Sequence, residues 1–140
     1  EMSTDIDQLV ELYESMKTKH RVSKVIIVNG NRVLLLQKNG TLRWELPGGH
    51  SLTKEHMKDT AVREVKEETG QKIDVVHLKY LQSLRQDGNK YKWYTYTQPF
   101  NKKIKISKEH VDYKWVSKNN LENYKLSKTT NHLAIISVFN

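Results

Sequence analysis

The stretch Trp44-Glu45-Leu46-Pro47-Gly48-Gly49-His50-Ser51-Leu52-Thr53-Lys54-Glu55-His56-Met57-Lys58-Asp59-Thr60-Ala61-Val62-Arg63-Glu64-Val65-Lys66-Glu67-Glu68-Thr69-Gly70-Gln71 runs from a tight glycine turn into an acidic helix. Its apolar spacing predicts a helix over residues 53–69, with Gly70 as its C-terminal stop. Glu64, Glu67 and Glu68 stand at i, i+3 and i+4, so at about 100° per residue all three carboxylates share one side of the helix. Relative to Met57, Ala61 falls near +40°, Glu64 near −20° and Glu68 near +20° (approximate angles). The acids therefore continue an apolar stripe that turns toward the protein body, and charge directed there needs a partner. A divalent cation removes the repulsion, and hard oxygen ligands select Mg²⁺ or Mn²⁺. On their own, three glutamates read more readily as a solvated acidic patch.

Upstream, residues 22–28 and 32–37 are two β-branched or leucine-rich runs around Asn29-Gly30-Asn31, a hairpin turn. Residues 4–19 read as an amphipathic helix with Ile6, Leu9, Val10, Tyr13 and Met16 on one stripe. Downstream, residues 73–84 read as a long strand that Asp87-Gly88 turns into a partner over residues 91–97. In that partner Tyr91, Trp93 and Thr95 face one way and Lys92, Tyr94 and Tyr96 the other. Short strands are expected at 103–106 and 111–116, and a closing helix over 127–139. Strands, a helix, more strands and end helices describe an α+β fold: a mixed sheet flanked by helices, in one domain over residues 1–140.

Composition closes off several chemistries. With no cysteine, the chain has no disulfide, no thiolate nucleophile and no thiolate-bound zinc. Its apolar runs are too short to span a membrane, and the acidic, polar beginning does not read as a signal peptide, so a cytoplasmic location is expected. The 24 basic and 16 acidic residues leave +8, which attracts nucleotides, polyphosphates or RNA, although a lysine-rich composition alone would produce the same surplus.

The run Gly49-x5-Glu55-x7-Arg63-Glu64-Val65-x-Glu67-Glu68-x-Gly70 resembles the Nudix box of hydrolases acting on nucleoside-diphosphate-linked substrates. Seven identities at fixed spacing arise by chance on the order of once in ten million such chains. Gln71 departs from the box, whose last slot is usually aliphatic. The resemblance implies the Nudix fold, an α/β/α sandwich with a mixed sheet. It implies that Glu64, Glu67 and Glu68 ligate Mg²⁺ or Mn²⁺, with the carbonyl of Gly48 as a further ligand. Arg63 would orient the carboxylates; read without the family, it is an i,i+4 partner for Asp59. Glu55 and Gly49 would support the ligands from behind.

The segment Glu109-His110-Val111-Asp112-Tyr113-Lys114-Trp115 resembles one found in Nudix enzymes that cut diadenosine polyphosphates, and in some that act on nucleoside triphosphates. There a loop glutamate reaches the metal site as ligand or general base, which makes Glu109 the candidate here. Tyr113 and Trp115 alternate with Lys114 and read as core strand residues, while His50 and His110 are read as loop residues and not ligands. Lys38 and Trp44 are candidate substrate contacts, with Lys54 as a further cation for outer phosphates. The family's markers of ADP-ribose or dinucleoside polyphosphate preference are missing, since no proline lies between Pro47 and Pro99 and Tyr91 falls too far along. The expected function is a metal-dependent pyrophosphohydrolase of a nucleoside triphosphate or dinucleoside polyphosphate. An RNA 5′-end pyrophosphohydrolase, or a non-catalytic nucleotide- or RNA-binding domain, is the alternative.

Overall fold

A strand buried on both faces reads as an unbroken apolar run rather than an alternating one. That is why Val25, Ile26 and Ile27, and Val33 through Leu36, are all fully buried in the computed structural model. The structure describes residues 5–10, 19–128, 130 and 132–139. Its strands are β1 (His20–Asn29), β2 (Arg32–Lys38), β3 (Trp44–Glu45), β4 (Gly48–His50), β5 (Lys79–Gln86), β6 (Asn89–Tyr96) and β7 (His110–Ser117). Besides a helical stretch at residues 5–10, its helices are α1 (Met57–Thr69) and α2 (His132–Val138), with short 3-10 turns at Val75–His77 and Lys118–Asn123.

β1 organises the sheet. One edge pairs in parallel with β6 from His20 opposite Asn89 to Ile27 opposite Tyr96. Its other edge pairs antiparallel with β4 at Val22–Lys24 and with β2 at Val28 and Asn29. β2 then carries β7 and β3, and β6 carries β5. The mixed sheet has two cores. Val25, Ile27, Leu34 and Leu36 meet Met57, Ala61 and Val65 of α1 on one face. Ile26, Val33 and Leu35 meet Ala134 and Ile135 of α2 on the other. This is the mixed sheet flanked by helices that the residues predict, in the α/β/α layering that the resemblance implies.

Local differences have local causes. α1 begins at Met57 rather than at 53, because Lys54 takes a left-handed backbone (φ 66°) and Glu55 turns its carboxylate back onto the Leu52 amide at 3.0 Å. It ends as expected, with Gly70 at φ 76° and its amide on the Lys66 carbonyl. The strand expected from residue 73 starts at Lys79, since the Asp74 carboxylate accepts from the Val76 amide and holds a 3-10 turn first. Residues 103–106 form no strand, though Ile104 is buried in the core. The polar Gln71 is tied down by a two-way bond, donating to the Asn101 carbonyl and accepting from its amide at 2.9 Å each, while Ile73 fills the core beside it. Of the helix expected over 4–19, residues 5–10 are helical with Ile6, Leu9 and Val10 exposed; most of the rest lies outside the described residues. No described helix is long and apolar enough to cross a membrane.

Candidate active site

The turn and the helix meet where β4 crosses β1. Gly48 has φ 142°, and a Cβ there would lie 1.9 Å from the Ser23 carbonyl oxygen, so only glycine fits against β1. Its amide donates to Glu68 Oε1 at 2.8 Å. At Gly49 a Cβ would fall 2.6 Å from the carboxyl carbon of Glu64. The two glycines thus make room for the two inward-facing carboxylates of α1.

Arg63 supports them from the side. Its Nε donates to Glu55 at 2.9 Å, one terminal nitrogen to Glu64 at 2.9 Å and Glu67 at 3.2 Å, and the other to Glu55 and the His50 carbonyl. The alternative pairing with Asp59 is not what this guanidinium makes. Hydrogen bonding from Arg63 lowers the Glu55 carboxyl to about 2, and the Glu55 contact in turn raises Arg63.

Glu64, Glu68, Glu109, Gly48, Gly49 and Lys38 line one cleft, together with Val22, Lys24, Glu45, His50 and Tyr91. Glu67 is not among the lining residues; its side chain is 55% exposed and is tied to the site through Arg63 at 3.2 Å. Glu109 sits on the loop before β7, its backbone carbonyl accepting from the Asn39 amide at 2.8 Å. Its charge, after burial and the charge of Glu67, helps push the Glu64 carboxyl up. Trp44 does not line this cleft. It packs edge-on to Tyr124 at 5.2 Å, against the α2-side core, because the alternation of β3 points Glu45 inward instead. Lys54 is not among the lining residues either. His50 lines the cleft and packs edge-on to His20 at 4.9 Å; burial, followed by the charges of His20, Lys24 and Lys38, lowers it. Tyr113 and Trp115 pack against the α1-side core as strand residues.

The roles of Lys24 and Glu45, which line the cleft, and of His110 behind Glu45 are not among those the sequence suggests. Lys24, buried in β1, has its ammonium 3.7 Å from Glu45 and 3.3 Å from the Leu46 carbonyl. Glu45 also pairs with His110 Nε2 at 2.9 Å. A lysine directly before the apolar run at residues 25–28 is the available signal for Lys24, whereas Glu45 and His110 meet across 65 positions and carry none. Burial opposes ionisation of Glu45, but the His110 bond and the charges of Lys24 and Lys38 outweigh it and hold the carboxyl low.

Glu68 lacks that compensation. Burial raises its carboxyl to about 8 against the pull of Lys24 and the Gly48 amide, with Glu64 and Glu45 adding repulsion. Glu45, Glu68 and His110 can bring one donor atom each within 4.8 Å of one another. Glu45 already holds His110 Nε2 and the Lys24 ammonium, and His110 Nδ1 is left buried without a partner among the described residues. The carboxyls that burial pushes up are Glu68 and Glu64, the latter in spite of its Arg63 bond. Two clustered carboxyls offering only oxygen donors beside a glycine cradle fit a hard divalent cation, whose charge would favour their ionised forms.

The comparisons with known proteins agree with this geometry. A family model described as NUDIX domain matches residues 18–135. The chain belongs to the Nudix family. It is 30% identical over 107 residues to the asymmetrical bis(5'-nucleosyl)-tetraphosphatase of Mus musculus, covering 70% of this chain and 71% of that protein. Its fold is that of MutT from Aliivibrio salmonicida and Vibrio cholerae, with TM-score 0.70 at 21% identity over 86% of this chain and 95% of the other. It is also similar to the E. coli dihydroneopterin triphosphate pyrophosphohydrolase, with TM-score 0.67 at 25% identity over 84% and 92% of the two chains. The protein is a Nudix hydrolase, and Nudix hydrolases use divalent metals.

Proposed function

We propose that this Nudix hydrolase is a Mg²⁺- or Mn²⁺-dependent pyrophosphohydrolase acting on nucleoside polyphosphates, with a dinucleoside polyphosphate as the favoured substrate and a nucleoside triphosphate as the second. The observation carrying the reading is the convergence of Glu64, Glu68 and Glu109 on one cleft that also presents Lys24 and Lys38. The name of the mouse relative supports the choice of substrate.

Glu64 and Glu68, with Glu67 and the Gly48 carbonyl, would hold the cation. When bound it supplies charge stabilisation at the attacking and leaving oxygens and acidifies water. Arg63 keeps Glu64 and Glu67 turned toward the ligand while its bonds to Glu55 and the His50 carbonyl fix its own position. Gly49 leaves the space that the Glu64 carboxylate occupies. Glu109 takes the proton from the water whose oxygen bonds to phosphorus, and the anhydride oxygen leaves with the departing phosphate. Lys38, exposed at the cleft, binds outer phosphates. Asymmetric cutting of a dinucleoside tetraphosphate in this way yields a nucleoside triphosphate and a nucleoside monophosphate.

Incubation with a panel of dinucleoside polyphosphates, nucleoside triphosphates and 5′-triphosphorylated RNA, each with Mg²⁺ or Mn²⁺ and with chelator, tests the reading. Chromatography should find unequal nucleotide products from the dinucleoside substrate only when metal is present. Turnover confined to RNA 5′ ends, or none on any anhydride, overturns it.

A further inference from the structure

The β1–β6 pair has two chemically different faces. Its parallel register sets Arg21 opposite Lys90, Val22 opposite Tyr91, Ser23 opposite Lys92 and Val25 opposite Tyr94. Side-chain alternation sends Val22 and Tyr91 to the cleft, and Arg21, Lys90, Lys92 and Tyr94 to the opposite side, beside the start of α1. There Arg21, Lys58, Lys90 and Lys92 line a pocket with His56, Met57 and the tyrosines Tyr80 and Tyr94. Among the described residues no aspartate or glutamate lines it. Arg21, Lys58 and Lys92 make no ion pair with a carboxylate among the described residues; cations gathered in this way repel one another, and an anion relieves that repulsion.

The aromatic part is ordered as well. Tyr80 is 55% exposed, leans edge-on against Tyr94 at 6.3 Å, and donates its hydroxyl hydrogen to Ser83 at 2.9 Å. The Lys92 ammonium stands 5.7 Å from the Tyr80 ring centroid. Arg21 donates to the carbonyls of Glu55 and Leu52, at 2.7 and 3.0 Å, which fixes the guanidinium without cancelling its charge.

We propose that this pocket binds single-stranded nucleic acid, one base stacking on Tyr80 and successive phosphates running past Lys92, Arg21 and Lys58. The cations come from three elements, β1, α1 and β6, an arrangement that suits successive phosphates of a chain. An acidic peptide would answer the charge but leave the Tyr80 ring without a planar partner, and stacking on an exposed aromatic accepts any base. The site lies across the sheet from the hydrolytic cleft and does not depend on the proposed reaction.

Fluorescence anisotropy of a 3′-labelled, 5′-hydroxyl twelve-residue oligouridylate, measured with the full chain in EDTA, tests it, because that probe has no anhydride and the cleft has no metal. Binding should weaken with salt at a log–log slope of roughly −2, as for about three neutralised phosphates on a single strand. Lys58→Glu/Lys92→Glu should cut affinity by about tenfold or more, and Tyr80→Ala by about fivefold or more. The charge-matched Lys103→Glu/Lys125→Glu should change it by less than about twofold. Acetylation of the unaltered protein should show Lys58 and Lys92, but not Lys103, protected by the oligomer, a readout independent of whether the variants fold. No binding, equal loss in the charge-matched control, or displacement by uridine monophosphate or polyglutamate as effective as by unlabelled oligomer would overturn the proposal.

Discussion

His110 Nε2 lies 2.9 Å from Glu45 Oε2, with both side chains buried. That bond joins the loop carrying Glu109 to the strand that leads into Gly48 and Gly49. His110 follows Glu109 directly, so its anchor fixes how far the Glu109 carboxylate can travel from the cleft. His110→Ala should lower turnover by about tenfold and cost roughly 1–3 kcal/mol of stability, because Glu45 stays buried with Lys24 as its remaining partner. If His110 acts through Glu109, the loss in turnover should disappear in a Glu109→Gln background, which a double-mutant cycle on turnover measures. Additive losses would leave His110 with a purely structural role.

The two glycines of the turn should fail differently. Gly48→Ala sets a Cβ 1.9 Å from the backbone oxygen of Ser23, which cannot move without displacing β1, so it should destabilise the fold by about 3 kcal/mol or more. Gly49→Ala meets only the tip of the Glu64 side chain, so the fold should survive while metal-dependent turnover falls by about ten- to a hundredfold. Thermal unfolding beside steady-state kinetics separates the two; equal stability of both variants would contradict the argument.

Glu68→Gln should reduce turnover by roughly two to four decades, about 2.7–5.5 kcal/mol of transition-state stabilisation. In metal-free protein it should have the opposite effect on stability. The folded carboxyl is pushed from 4.5 up to about 8, so between those values the folded state holds the proton that the unfolded state has lost. Stability from this group is full below about pH 4.5 and is lost as pH rises through about 8. Denaturant unfolding in EDTA from pH 5 to 8 should show that decline, and Glu68→Gln should flatten it. A wild-type curve that rises over this range would contradict the buried placement of Glu68.

Glu109→Gln should lower the catalytic rate by about tenfold or more, roughly 1.4 kcal/mol at least, and remove the acidic limb of the pH–rate profile. Metal affinity measured by calorimetry without substrate should change little. An unaltered rate and profile would return Glu109 to an ordinary solvated loop residue and leave Glu64 as the next candidate base.

The acidic stretch of α1 is an i, i+3, i+4 pattern, so the side its carboxylates occupy and the Gly70 stop follow from local geometry that any helix with these residues would share. The same holds for β1 and β2, whose continuous apolar runs require cover on both faces and hence helices on both sides of a sheet. Glu55 is a limit case. Periodicity places it on the helix, but its bonds to Leu52, Thr60 and Arg63 hold it in the preceding turn, where Lys54 breaks the helical path. Trp44 and Glu45 are adjacent in sequence, and only the pairing of β3 with Leu36 and Gln37 decides that the glutamate faces the cleft and the tryptophan the α2-side core. Lys24, Glu45, Glu68 and His110 come from four elements, and no local pattern records their meeting, because contact between distant residues is set by sheet register and helix packing. The sequence determined which residues could carry charge inward; the tertiary structure decided which of those charges were answered. Glu45 found His110 and Lys24, while burial left the Glu68 carboxyl raised and short of a cation.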